Sequence, residues 1–308
     1  MDQLTTFLTQ PLVLGLIWAI YSLGVFIAYR VLDIADLSAE GVMPLAAVLS
    51  LFLINIGLNP VLALLLSVIS GILMGALNGC MQIYLKIPPL LSGIIIMIGL
   101  FSVVFVLSVG NIWTVNPTIF TEFYNIFESM FGSRVWGKWL GNFLVIAVIA
   151  AIVVAALYFF FGTEMGVAIR AIGLNKKMSK AQGINTSLMT IVALAISSGL
   201  VALAGGILGQ YKTYITATEG NGSIVIALSV LFLGEVVFGK RSFKNHLISI
   251  ILGGLLYWYV ISAILLIPRF DTSYLFLVQA VVLVTVLVAQ NLIKKGVIGK
   301  KRLVASDA

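Results

Sequence analysis

The sequence predicts an all-α, polytopic membrane protein, and three observations carry that prediction. Hydrophobic residues make up 61% of the 308-residue chain and charged residues only 9%, against about a quarter charged in a soluble domain. The few charges leave long empty runs between them. Lys and Arg also gather in alternate connecting segments.

The runs place the elements. Between Asp2 and Arg30 lie 27 residues without a charge, and residues 41–85 give 45 more, broken by Asn55, Gly57, Asn59 and Pro60. Others cover 87–121, 139–163, 181–211, 245–268 and 272–293. A helix needs about 20 apolar residues to cross the hydrocarbon core, and a central charge costs roughly 2.5–3.5 kcal/mol. The runs therefore place about nine transmembrane helices, centred near Ala19, Leu49, Val68, Leu100, Ile149, Leu200, Leu231, Leu256 and Val282. Glu235 interrupts the seventh. Helices are expected because lipid offers the backbone no hydrogen-bond partners. The chain reads as one membrane domain over 1–308. Its parts are a first half (10–109), an outer loop (110–142), an inner loop (162–188), a second half (189–293) and a basic tail (294–308).

Orientation follows from the cations. With the C-terminus cytoplasmic and the N-terminus outside, the inner segments hold 14 of the 18 Lys and Arg residues. These are Arg30, Lys86, Arg170, Lys176, Lys177, Lys180, Lys240, Arg241, Lys244, Lys294, Lys295, Lys300, Lys301 and Arg302. The outer segments hold Arg134, Lys138, Lys212 and Arg269. This is the positive-inside pattern. It accounts for the net charge of +7, and no nucleic-acid partner is expected. The implied location is a bacterial inner membrane, with membrane lipids as solvent.

Catalytic signals are absent from the pattern. Met1–Gln10 lacks a basic region, so no cleaved signal peptide is expected. Cys80 sits in an apolar span, as a small packing residue does. His246 lies beside a basic loop, without a second His or Cys at ligand spacing. There is no Walker-type glycine loop, so no ATP chemistry, cofactor or metal is expected on this chain.

A weak repeat runs through the sequence. Glu40-Gly41 precedes one pair of apolar runs and Ile87-Pro88 closes it; Glu219-Gly220 precedes another and Ile267-Pro268 closes that. Gly71 and Gly75 recur as Gly253 and Gly254. The spans pair first with sixth through fourth with ninth. An offset of five spans is odd, so the halves run in opposite directions. Chance likeness between apolar segments is the competing reading. The turns at 36–41 and 216–222 carry Ser38, Thr216 and Thr218 as helix caps. Helix N-termini there would aim partial positive charge at a polar path, or would be ordinary interfacial caps. Gly71, Gly75 and Gly79, and Gly205 and Gly209, suit close helix packing or a pore face. Asn78 and Gln82 share the face of the first set and are expected toward protein or path rather than lipid. Ser38, Asn78, Gln82, Thr216, Thr218 and Glu235 are therefore the candidate pathway residues.

Two loops stand out. In the outer loop, Phe120, Phe123, Tyr124, Phe127 and Phe131 recur at helical spacing, with Glu122, Asn125 and Glu128 elsewhere around the helix and Trp113, Trp136 and Trp139 flanking. This predicts an amphipathic helix on the outer membrane surface. In the inner loop, Asn175 can cap a short helix through Lys180, and Gly183 can end it. A docking element and a plain solvated basic loop both fit that composition.

The inner loop carries a resemblance. Met165-Gly166, Arg170-Ala171, Gly173, Asn175 and Gly183-Ile184-Asn185 resemble the cytoplasmic coupling loop of ABC importer permeases of the branched-chain amino acid/ribose permease family. Asp36-Leu37-Ser38, Leu45-Ala46-Ala47-Val48, Lys86-Ile87-Pro88-Pro89 and Leu233-Gly234-Glu235 with Phe238–Ser242 agree in order and spacing. The commoner pattern has two glycines where this chain has Gly234-Glu235, and Gly-Gly-Arg-Gly-Ser where it has Gly239-Lys240-Arg241-Ser242. These departures resemble the subgroup labelled tryptophan/tyrosine transport permease. The resemblance implies a type II ABC importer fold, a homodimer, two separate ATP-binding subunits and an extracellular or periplasmic substrate-binding protein. ATP would then sit on the partner subunit. The substrate would be a small polar solute such as an amino acid. The ATPase-coupling residues would be Arg170, Asn175, Lys176, Lys177, Ser179, Lys180, Ala181 and Gly183. An ion- or proton-coupled secondary carrier is the alternative; it would normally show buried Asp, Glu or His in mid-span, where only Glu235 interrupts. A channel and a membrane-embedded enzyme are weaker readings.

Overall fold

Local signals set the helix boundaries. The computed structural model describes residues 2–108, 118–121, 134–266 and 274–306, with side chains over 9–108, 118–121, 140–216, 218–266 and 274–292. Helix α1 (Asp2–Phe26) ends in a π-helical turn, Ile27–Val31. Helices α2 (Ala39–Asn55), α3 (Pro60–Ile83) and α4 (Pro89–Ser108) follow. Gly57, at φ +98°, makes the turn after α2. Asn59 then caps α3 by accepting from the Val61 amide at 2.8 Å, with Pro60 as first helical residue. Helix α5 is Arg134–Gly162, and the short helices α6 (Glu164–Leu174) and α7 (Lys176–Ala181) lead to α8 (Thr186–Lys212). A 3₁₀ turn at Ala217–Gly220 precedes α9 (Ser223–Phe238), α10 (Phe243–Leu265) and α11 (Leu275–Ser306).

Among the described residues, eight helices are long and apolar enough to cross a membrane, and α2 is a shorter apolar helix of 17 residues. With α2, these are the nine spans that the charge-free runs place. The chain is a multi-pass membrane protein. Helix α11 continues to Ser306, so the basic tail extends a helix. Most of the predicted outer-surface helix lies outside the described residues, as does Ile267-Pro268. Phe120 is described, and it packs on the bundle with its ring 5.8 Å from that of Tyr211.

The packing reveals the inverted repeat. Helices α1–α4 correspond to α8–α11. Helix α3 packs on α8 as α10 packs on α1, α2 on α8 as α9 on α1, and α2 on α4 as α9 on α11. The match reaches single residues. A Cβ on Gly75 would stand 2.4 Å from the Leu194 carbonyl and 2.7 Å from Ser198. A Cβ on Gly254 would stand 2.5 Å from the Gly15 carbonyl and 2.9 Å from Ala19. One shift of 179 positions takes Gly75, Gly15 and Ala19 to Gly254, Leu194 and Ser198. The glycines therefore serve helix packing, because in lipid close backbone contact replaces the hydrophobic drive. Helix α5 belongs to neither half and packs on α1 and α10. Among the eight long helices the repeat mates α1 and α8 are the most enclosed, and α11 is the least.

Polar joints tie the halves at each end. Arg30, presented by the π turn, donates to both carboxylate oxygens of Glu235 at 3.0 and 2.8 Å. Lys240 at 3.3 Å, His246 at 2.9 Å and Gln290 at 2.8 Å complete the shell. The Glu235 side chain is 1% exposed. Near the other end, Gln210 donates to the Ser50 hydroxyl and the Pro60 carbonyl and accepts from the Ile119 amide.

Two predictions follow from this packing. Gly75→Ala and Gly254→Ala each destabilise by roughly 1–3 kcal/mol through overpacking, seen as a lower thermal unfolding midpoint in detergent. Gly99→Ala, with nothing within 4 Å of its Cβ, does not. Equal midpoints for all three would remove close approach as the reason for these glycines. Glu235→Ala removes the shared partner of Arg30, Lys240, His246 and Gln290 and costs roughly 1.5–3 kcal/mol, the range for hydrogen bonds to a charged group, because the stranded Arg30 and Lys240 stay partly hydrated. Arg30→Ala costs less, because three donors remain on the carboxylate. The same unfolding scan checks the order.

Candidate functional site

The second helix of each half begins inside the bundle. Helices α2 and α9 have 17 and 16 residues, or about 26 and 24 Å, short of a ~30 Å hydrocarbon core. A Cβ on Gly41 in the first turn of α2 would stand 2.9 Å from Met97, about 12 Å along α4 from its start. The first residue of α9, Ser223, bonds the Tyr21 hydroxyl at 2.7 Å. Tyr21 lies near the middle of the apolar stretch Thr9–Val31. Both N-termini therefore open at mid-bundle.

Glu40 joins them. Its carboxylate, in the first turn of α2, faces the backbone amides of Gly222 and Ile224 at the start of α9. The first amides of a helix have no partner within it, and burial makes that costly. A carboxylate at this point also meets the positive end of the helix dipole. The expected caps differ. Ser38 stands at the N-cap of α2 without a side-chain cap bond. Gly222, at φ +74°, is the N-cap of α9. Thr216 and Thr218 are exposed and lie 3.3 Å apart, hydroxyl to hydroxyl. A charge from the opposite half, Glu40, faces the start of α9 instead, a long-range neighbour invisible to local sequence rules.

A buried network lies beneath α2. Asp36 Oδ1 accepts from the Ser38 amide at 2.8 Å and from Asn78 Nδ2 at 2.9 Å. Asn78 Nδ2 also reaches the Ser38 hydroxyl at 3.4 Å. Asn78 Oδ1 accepts from the Ser92 hydroxyl at 2.7 Å and from Gln82 Nε2 at 3.2 Å. Ser38, Asn78 and Ser92 are fully buried. The structure thus brings together Ser38, Asn78 and Gln82 of the predicted set, and adds Asp36, Glu40, Tyr21 and Ser92. Thr216 and Thr218 stand apart from this network, and Glu235 belongs to the ion-pair joint. Asp36 and Glu40 are the acidic groups the charge-free runs did not reveal. They flank the start of a span, and only its deep starting point carries them to mid-bundle.

The inner loop folds into two rigid turns. Thr163 caps α6 through the Gly166 amide, and Asn175 caps α7 by accepting from the Met178 amide at 3.0 Å. Gly183, at φ +84°, ends the segment, with its amide on the Lys180 carbonyl. Ser179 points inward and bonds the Asn175 carbonyl. Lys176, Lys177, Lys180, Ala181 and Gly183 are exposed. So are Leu174, at 89%, and Met178, at 59%. Arg170 turns inward, donating to the Phe161 carbonyl at 3.0 Å and standing over the Phe243 ring. The element has no room to shift at Gly173, whose Cβ would collide with the Val31 carbonyl. Sequence reasoning missed Leu174 and Met178, which read as ordinary apolar positions until the fold exposed them.

Comparison with known proteins agrees with this architecture. The family model for the permease component of the branched-chain amino acid transport system matches residues 7–301. The tyrosine transport system permease protein of Clostridioides difficile is 29% identical over 293 residues, covering 95% of this chain and 92% of its own. The galactofuranose transporter permease protein of Escherichia coli is 29% identical over 264 residues, covering 83% and 71%. The ribose import permease protein of the same organism is 24% identical over 256 residues, covering 83% and 77%. No solved structure matches the chain. The match of this model over residues 7–301, nearly the whole chain, makes the chain a member of the branched-chain amino acid transport system permease component family.

Proposed function

We propose that this chain is the membrane-spanning subunit of an ATP-binding cassette importer that carries a small polar solute. An amino acid is the favoured class, since a tyrosine transport permease is among its relatives over nearly the full length. Two copies form the pathway. Two separate ATPase subunits dock on the face carrying α6 and α7, and ATP stays on those subunits. A substrate-binding protein delivers the solute at the opposite face. The C-terminus is cytoplasmic and the N-terminus outside, in keeping with the Lys/Arg split.

The carrying observation is α7. A six-residue helix is too short to be stable alone, yet it is capped, buries Ser179, and exposes Met178 and three lysines. Such a knob suits a cleft on a partner chain. ATP drives the cycle by binding one state of the ATPase pair more tightly than the other. The knob passes that bias to α8 and, through Gly173 against Val31, to the end of α1.

Asp36 and Glu40 favour a second reading, an ion- or proton-coupled carrier, because both are mid-bundle carboxylates. Asp36 already accepts from the Ser38 amide and from Asn78, and Glu40 faces the positive end of the α9 dipole, so both charges are offset without a bound ion. Proteoliposomes holding the permease without ATPase separate the two: uptake driven by an ion gradient alone would establish the carrier.

Replacing Asn175–Ala181 with a Gly/Ser stretch abolishes ATPase association, read by co-purification, and reduces uptake to background while membrane insertion persists. Retained association and uptake would end this assignment of the loop. Glu40→Gln keeps the shape but removes the charge that faces the start of α9, worth roughly 0.3–2 kcal/mol against a helix dipole. Uptake falls about tenfold or more with normal protein levels, measured with labelled solute in cells.

A further inference from the structure

A cavity of about 500 Å³ opens between the end of α1, the α3–α4 turn and the α6–α7 junction. Its polar lining includes Asp33, Gln82, Lys86, Asn175 and Lys176. Two features set it apart from an ordinary surface recess. Among the described residues, only three besides glycine have positive φ, and two of them line this cavity: Asp33 at +58° and Lys86 at +55°. Left-handed backbone at residues with a side chain is uncommon, is strained, and persists where surrounding structure enforces it. Here it fixes one acidic and one basic residue around the same space. The lining also connects to the mid-bundle network, since Gln82 donates to Asn78, which bonds Asp36 and Ser38 below the start of α2.

We propose that this cavity binds a small zwitterion, an α-amino acid, on the coupling face of the permease. Lys86 and Lys176 take the carboxylate and Asp33 takes the ammonium. The occupant bridges the α6–α7 element to the two turns of the first half, so its presence holds that element in one position. The internal concentration of amino acid thereby restrains further import. This site rests on the permease reading above, with the cavity face cytoplasmic, and its ligand class deepens the amino-acid assignment.

The test is equilibrium binding to the purified full-length permease in nanodiscs, with labelled L-tyrosine as the probe. Wild type binds saturably. Tyramine, which lacks the carboxylate, and 3-(4-hydroxyphenyl)propionate, which lacks the ammonium, fail to compete, and D-ribose also fails. Asp33→Asn and Lys86→Gln each weaken binding about tenfold. Asp33→Gly and Lys86→Gly guard against misfolding, because glycine relieves the positive φ while removing the charge; they weaken binding equally. Unchanged affinity in all four variants overturns the site, as does equal competition by either analogue or no binding by wild type. In cells holding the complete transporter, Asp33→Asn frees uptake from inhibition by preloaded amino acid. Binding that depends on Asp33 and Lys86 without any amino-acid import would remove the substrate assignment and leave the site. Amino-acid import with variant-insensitive binding would remove the site and leave the assignment.

Discussion

The structure depends on how two helices are allowed to start in the middle of a membrane bundle. A helix N-terminus exposes amides that lipid cannot satisfy. In α9 those amides meet the Glu40 carboxylate, which comes from the first turn of α2 in the other half. The carboxylate is held by amide dipoles and the amides by a charge, so each offsets the other's desolvation. Tyr21 on α1 closes the same point through Ser223. Every helix that packs around α2 and α9 must leave room for this meeting. That explains why Gly41 and Gly220 sit flush against Met97 and the Glu40 carbonyl.

The inverted repeat supplies that room. Because α1 and α8 are equivalent and enclosed, each presents one close-packed face to the third helix of the other half. The glycine contacts at Gly75 and Gly254 are one contact made twice. Small residues at these points let backbones touch, so the helices behave as stiff units.

Much of this was legible in the sequence, and the reason is specific. A span is a local property of about 20 residues, so the charge-free runs placed all nine, and Asn59, Asn175 and Gly183 acted as local rules predict. The repeat was visible because glycines needed for backbone contact recur at one offset. Long-range partnerships were not legible. Ser38, Thr216 and Thr218 read as caps, yet the group that faces the start of α9 is Glu40, 182 positions before Gly222. Asn78 and Gln82 were found because an amide on a glycine face is costly toward lipid. Asp36 and Glu40 were passed over because a charge beside a span normally lies at the interface. Leu174 and Met178 carry no pattern of their own; only folding the loop exposes them.

The end joints show how the two halves differ in use. Shifting Arg30 by 179 positions lands on Gly209, next to Gln210. The end of α1 is thus tied to α9 by charges, and the end of α8 to α2 by a neutral amide and a hydroxyl. Burial explains the division. Gln210 is 1% exposed, where an ion pair would suffer its full desolvation penalty. The Arg30 and Lys240 side chains keep 31% and 44% exposure, so their charges stay partly hydrated while Glu235 is enclosed. Each neutral bond contributes roughly 1 kcal/mol, and breaking the ionic joint exposes a carboxylate with five donor contacts. The joint on α9 draws Arg30, Lys240 and His246 onto one carboxylate at the end where Gly173 abuts Val31. At the far end Gly205 and Gly209 bring α8 against the Met43 and Ala47 backbone of α2, so close packing beside a neutral amide, rather than charge, holds that joint.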